Sequence, residues 1–211
     1  MKITLFGATG RIGPYLIREG LERGAELTVF ARQQTLFANS DVRIIRGDLT
    51  DADLLREAVS GADAVLSALG PTKFPHPKDL PITRATQAII TAMEQEHVRR
   101  LIAVSTGTAA DPGDSFDLKI HLPAVLLKLA MRAAYNDMIG LADVVRASTL
   151  DWTMVRAAVL KDRPPSAGLN VGLYGHTRHS LTISRADVAR FMFDQVTQPT
   201  FVHQAPGVSS R

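Results

Sequence analysis

The chain has 211 residues and no cysteine, with 45% hydrophobic and 21% charged content, which excludes a disulfide framework, a thiol nucleophile, a Cys-ligated metal and a disordered or fibrous class. Its net charge of +3 (24 Lys and Arg against 21 Asp and Glu) is dispersed, and this suits an anionic small ligand better than a nucleic acid. The longest apolar stretch, Leu122 to Met131, contains Lys128 and falls well short of the ~20 residues a membrane span needs. The N-terminus opens on a strand rather than on a basic segment and an apolar signal core, so the expectation is a soluble, cytoplasmic protein forming one domain over residues 1–211.

Ile3-Thr4-Leu5-Phe6 reads as a buried strand, and the periodic run from Ile12 to Arg23 as the helix after it. Between them lies Gly7-Ala8-Thr9-Gly10-Arg11-Ile12-Gly13. A phosphate approaches backbone only where side chains are missing, so Gly7 suits a tight turn, Gly10 a close approach and Gly13 close packing of helix on strand. The free N–H groups and dipole of the helix then point at the phosphates. Pro14 is tolerated in a first turn. A glycine-rich turn that binds nothing is the bland alternative; placement between strand and helix favours a pyrophosphate site.

Ala25 to Ala31 reads as the second strand, ending at Arg32 with no carboxylate from Val29 to Thr35. A site for NAD places Asp or Glu there, whereas a 2′-phosphate needs a cation, so Arg32 with Arg11 predicts NADP(H) over NAD(H). The plain alternative for Arg32 is a solvated surface arginine. Val42 to Arg46 is a third strand, followed by Gly47-Asp48-Leu49-Thr50-Asp51. Here Leu49 is placed to pack on an adenine and Asp48 to accept from its amino group, with Thr50 expected to cap a helix from Asp51 to Val59. Ala62 to Gly70 is a strand running into a small-residue turn, where Leu69 and Gly70 let a ribose approach.

Residues 72–81 form a proline-rich loop, Ile82 to Glu96 a helix and Arg99 to Val104 a fifth strand ending in Ser105-Thr106-Gly107-Thr108. Hydroxyls there face the ligand in a doubly wound sheet; they either hold a carboxamide or substrate oxygen or cap the next turn. Leu118 to Ser148 reads as helical with an interruption near Pro123, and its stretch Leu122 to Leu127 as ordinary core, a lid or an oligomer contact. Leu150 to Arg156 is the sixth strand. Further strands are expected at Leu169 to Tyr174, Ser180 to Ile183 and Phe201 to Gln204, and a Ser184-capped helix at Arg185 to Gln195. Alternating strands and helices imply an α/β, Rossmann-like, doubly wound parallel sheet in three layers, with residues from about 150 to 211 completing the substrate side. Of the six histidines only His176-x-x-His179 has a suggestive spacing, and without a neighbouring Cys or carboxylate no metal site is expected. Tyr174, His176 and His179 are alternative candidates for lining a substrate pocket.

The glycine turn, Arg32, Gly47-Asp48-Leu49-Thr50-Asp51, Ser105-Thr106, Leu150-Asp151-Trp152-Thr153-Met154-Val155-Arg156 and Ser184-Arg185-Ala186-Asp187-Val188-Ala189 together resemble the atypical short-chain dehydrogenases. Among these the chain is most similar to the NAD(P)H-binding, NmrA-like group that contains flavin reductase/biliverdin reductase B. The resemblance implies that Gly7, Thr9, Gly10, Arg11, Ile12 and Gly13 hold pyrophosphate, Arg32 the 2′-phosphate, Asp48 and Leu49 the adenine, and Leu69 and Gly70 the ribose. Ser105, Thr106 and Tyr135 are the candidate catalytic hydroxyls, Ser105 and Thr106 also facing the nicotinamide.

Two departures bear on the chemistry. Tyr135 is followed four residues on by Ile139, so the Tyr-x-x-x-Lys pair of ordinary short-chain dehydrogenases is missing, and the histidine that the reductase carries after the sixth strand falls on Val159. Alcohol–ketone chemistry and sugar-nucleotide epimerisation, which use that lysine, are disfavoured. Hydride transfer from NADPH to a flavin, a quinone or a similar conjugated acceptor needs less from the protein. The alternative from another class is a non-catalytic NADP(H) sensor. Either would be a monomer or homodimer whose ligands are small molecules.

Overall fold

The computed structural model describes residues 1–72, 74–157 and 159–211; Lys73, inside the expected proline-rich loop, lies outside the described residues. The elements run β1 (Lys2–Phe6), α1 (Gly13–Glu22), β2 (Glu26–Arg32), β3 (Arg43–Gly47), α2 (Ala52–Val59), β4 (Ala64–Ser67), α3 (Pro81–Gln95) and β5 (Arg100–Thr106). They continue as α4 (Leu118–Ala130), α5 (Arg132–Ala147), β6 (Asp151–Ala157), β7 (Val159–Lys161), β8 (Leu169–Gly172), β9 (Thr182–Ser184), α6 (Arg185–Thr197) and β10 (Gly207–Ser210).

Strand side chains alternate between two faces, and both faces are apolar because helices cover both. Leu5, Val29, Leu66, Ile102 and Val155 look toward α1 and α6, where Leu16, Val188 and Met192 complete one core. Their neighbours Phe6, Phe30, Val65, Leu101 and Met154 look toward α2, α3 and α5 and meet Leu55, Ile89, Met93, Leu141 and Val145. The result is an eight-stranded sheet of order β3-β2-β1-β4-β5-β6-β10-β8, parallel throughout except where β8 runs against β10. This is the Rossmann-like α/β arrangement expected from the strand–helix alternation. Strand order reverses between β1 and β4, which places the ligand crevice outside their carboxyl ends. β7 and β9 form a separate two-stranded parallel sheet.

Several local expectations are corrected. The cap of α2 is Asp51, whose side chain accepts from Leu54 N, rather than Thr50. The helical region breaks at Met131 (φ −135°, ψ 49°) and not at Pro123, which sits in the second turn of α4 and forfeits a single hydrogen bond. Beyond the break α5 follows the sheet, burying Met138, Leu141 and Val145, while α4 turns aside to roof a cleft. For that reason the apolar stretch expected to be core is not: α4 buries no residue, and Leu122, Leu126 and Leu129 are 53%, 57% and 78% exposed. Residues expected as the last strand, Phe201 to Gln204, form a turn ending in one bridge to Thr153; the chain only then joins β6 and β8 as β10. The cap of α6 by Ser184 Oγ on Asp187 N holds as expected, at 2.9 Å.

Candidate functional site

The turn after β1 is tight because two of its positions have no room for a side chain. Gly7 (φ +75°) lies against the end of β4, where an added Cβ would stand 2.7 Å from Ala68 backbone, and a Cβ on Gly13 would fall 1.5 Å from Ala8 O. Gly10 N donates to Gly7 O at 3.0 Å and Gly13 N to Gly10 O at 3.1 Å, which folds the turn onto itself. No side chain caps α1. Among the described residues no acceptor takes the amide N–H of Thr9, Arg11 or Ile12. Orphan amides at a helix start, on glycines that admit close approach, make a cradle suited to a diphosphate. A dinucleotide fits these residues.

Around this turn the sheet edge gathers the other expected positions. Arg32 ends β2 in register with Gly47 and is exposed. Asp48 Oδ1 accepts from Thr50 N at 2.9 Å and Thr50 Oγ1 at 2.7 Å, and these bonds hold its carboxyl below the usual range. Leu49 is half-buried against the α2–α3 core, and Leu69 and Gly70 follow β4 as half-buried residues beside the Gly7 turn. Ser105 and Thr106, adjacent on β5, point to opposite sides. Ser105 is 1% exposed with its hydroxyl unpartnered, whereas Thr106 is half-buried and its Oγ1 lies 2.5 Å from Thr108 Oγ1.

Thr108 opens onto a cleft of about 300 Å³. Its walls are Gly107 and Thr108 below, Ile120, Ala124, Val125 and Lys128 of α4 above, and Tyr135 and Tyr174 at the sides. Lys128 Nζ stands 5.8 Å from the centre of the Tyr135 ring. Of the three candidates from the C-terminal region, Tyr174 lines the cleft. His179 is buried behind it, edge-on at 4.7 Å, and burial lowers its pKa; His176 sits outside and bonds Ser115 Oγ at 3.0 Å. Among the described residues no three His, Asp or Glu side chains gather as a metal cage. No helix there is long and apolar enough to cross a membrane.

Three constellations were not foreseen. Beneath the cleft, Arg156 of β6 is 1% exposed; it donates to Asp114 through both terminal nitrogens (2.5 and 2.7 Å) and through Nε to Ala205 O at 2.6 Å, with its guanidinium 4.6 Å from the Tyr174 ring centre. Burial alone would raise the Asp114 carboxyl, but the bonds from Arg156 and Asp111 and the Arg156 charge outweigh it and hold it low. Tyr174 Oη donates to Arg156 O at 2.9 Å, and burial pushes its pKa up to about 12. The second is His76 with Asp137, both buried and 2.7 Å apart, where Asp137 also accepts from Ile82 N and Thr83 N and so ties the loop before α3 to α5. Third, Asp162 meets Arg11, Tyr15 and Arg185 beside the glycine turn. A charged residue closing the apolar run of β6 was the one sequence signal for Arg156; its partner is 42 residues distant.

Comparison with known proteins bears on the family and the fold. Over residues 7–199 the chain matches the NAD(P)H-binding family. It is 25% identical over 207 residues to the uncharacterized protein YwnB of Bacillus subtilis, covering 94% of this chain and 93% of that one. An isoflavone reductase homolog, A622-like, of Nicotiana tabacum is 24% identical over 209 residues, and the chain spans only 64% of its length. Among solved structures, a short-chain dehydrogenase/reductase of Veillonella parvula in complex with NADP superposes with a TM-score of 0.80 at 21% identity, covering 99% of this chain and 94% of that one. ChuY of Escherichia coli O157:H7, described as an anaerobillin reductase, does so at 0.75 and 18%, covering 100% and 97%. A family match over nearly the whole length shows that this chain belongs to the NAD(P)H-binding family of Rossmann-like oxidoreductases.

Proposed function

We propose that the chain is an NADPH-dependent reductase that takes a flat conjugated acceptor, a flavin or quinone, in the cleft beneath α4. The whole chain, 1–211, acts as one unit. The free amides of Thr9, Arg11 and Ile12 hold the diphosphate in a turn that Gly7, Gly10 and Gly13 leave open to close approach, and Arg32 pairs with the 2′-phosphate where an NAD site would carry a carboxylate. Asp48 keeps Oδ2 for the adenine amino group while Oδ1 is engaged by Thr50. Leu49 packs on the base, and Leu69 and Gly70 line the ribose. Bound there, NADPH supplies a hydride.

The observation that carries the reading is the Thr106–Thr108 hydroxyl pair, which joins the end of β5 to the wall of the cleft. Thr106 orients the nicotinamide side, and the half-buried Tyr135 presents aromatic surface for stacking, while Tyr174, 2% exposed, is held in the cleft wall by its bond to Arg156 O. Ser105, buried with its hydroxyl unpartnered, lies on the opposite side of the strand from Thr106. No lysine follows Tyr135 at the fourth position, so the proton completing reduction comes from water, and the protein's contribution is distance and orientation. Relatives described as reductases and a neighbour solved with NADP support the same reading.

The test is loss of reduced-nicotinamide absorbance when FMN or menadione is added to protein and NADPH. Turnover with NADPH well above NADH is the expected result; no turnover across a flavin and quinone panel, with NADPH still bound, overturns it. That second outcome would leave an NADP(H) sensor without catalysis. The uncovered apolar helix α4, with Leu118, Leu122, Leu126 and Leu129 all more than half exposed, favours such a role because a partner protein would cover it.

A further inference from the structure

Parallel pairing of β7 with β9 sets Lys161 opposite Ser184, so the next residues on each side, Asp162 and Arg185, fall together. Asp162 Oδ1 lies 2.6 Å from an Arg185 terminal nitrogen and accepts from Tyr15 Oη at 3.3 Å, while Oδ2 accepts from Arg11 at 3.2 Å. The partners differ in burial. Arg185 is 5% exposed and neither its Nε nor its Nη1 makes an aligned hydrogen bond, so Nη1 meets Asp162 as an ion pair, whereas Arg11, in the glycine turn, is 78% exposed. The carboxylate therefore has one fixed partner and one that is free to leave. It is tied to the glycine turn through the Arg11 guanidinium and to the first turn of α1 through the Tyr15 hydroxyl.

We propose that Asp162 is the turn's own resident anion: it holds Arg11 in the free protein and yields it to the dinucleotide diphosphate, keeping Arg185 as its partner. This rests on the reading that the turn binds a dinucleotide. Two effects follow from one carboxylate. It competes for Arg11, and it repels the incoming diphosphate, so together they weaken cofactor binding and speed release. Arg11 is nearly solvated, so the exchange involves a weak surface pair and the penalty is modest. Asp162 is thus an affinity-setting residue outside the cradle it controls, and it acts equally on oxidised and reduced nucleotide because both carry the same diphosphate.

The experiment is calorimetric titration of NADPH and NADP⁺ into wild type, Asp162→Asn, Arg11→Ala and the double variant. Asp162→Asn is expected to bind both nucleotides roughly three- to tenfold more tightly, with the gain shrinking in high salt. In the Arg11→Ala background the gain falls below half of that, because the competition is gone. Since Asp162→Asn alone leaves a buried guanidinium unpaired, Asp162→Asn/Arg185→Met removes both charges, and the same tightening is expected from it. Unchanged or weaker binding in the Asp162 variants, with wild type binding normally, overturns the proposal and spares the site. Wild type that binds neither nucleotide overturns both.

Discussion

Asp114 and Arg156 form an unequal pair, and the inequality makes a quantitative prediction. Arg156 has a side chain 1% exposed and cannot reach water, whereas Asp114 is 14% exposed at the cleft floor. Replacing Asp114 by Asn strands a full positive charge in the interior, held only by Ala205 O and Ala109 O, and breaking a buried pair in this way costs about 3–5 kcal/mol. Replacing Arg156 by Met keeps the volume and leaves Asp114 accepting from Asp111 N and Tyr174 N with water within reach, a loss of about 1–3 kcal/mol. With an m-value of about 2 kcal/mol/M, the Asn variant should lose roughly 1.5–2.5 M in its urea midpoint and the Met variant clearly less. The acid limb checks the same pair. Asp114 has a depressed folded pKa, so its stabilisation is present above the unfolded value near ~3.9 and is lost as pH falls through the folded one. That acid loss should be smaller in Asp114→Asn. Equal midpoints, or a Met variant less stable than the Asn variant, would refute the account of Arg156 as a charge retained only by its partner.

Other outcomes follow from the same geometry. Tyr174 has a folded pKa raised to about 12, so its contribution is complete below the unfolded value of ~10 and is lost between there and the folded value. Tyr174→Phe should cost about 1 kcal/mol near neutrality and flatten the alkaline fall in a pH series of thermal melts. Gly13→Ala, with its Cβ 1.5 Å from Ala8 O, must push α1 off β1; a melting temperature within a few degrees of wild type would contradict this, and loss of NADPH binding is expected with it. Arg32→Asp should move the nucleotide preference toward NADH, measured as a ratio of dissociation constants, with little change in urea stability because Arg32 is exposed.

Strands β1 to β6 were readable because each is an apolar run between glycine or polar breaks, and the turn at Gly7 to Gly13 because steric exclusion at a glycine is a local property. What escaped notice depends on distant pairing. Nothing in the residue at Met131 marks a helix end; the break comes from α5 settling on the sheet while α4 does not. β7 is three residues long, and its register against β9, 23 positions on, is what makes Asp162 and Arg185 neighbours. Ser105 and Thr106 read alike in sequence, yet the period of the strand sends one hydroxyl into the core and the other toward Thr108. The final strand was displaced because its edges are set by β6 and β8, not by its own residues.

Helix α4 buries none of its thirteen residues, so swinging it away would tear open almost nothing. Its local free energy of opening is therefore far below that of α5, which has six buried positions, and its amides should exchange with deuterium first. The roof over the cleft is held by its ends, at the Asp117 cap and the bend at Met131, more than by its underside.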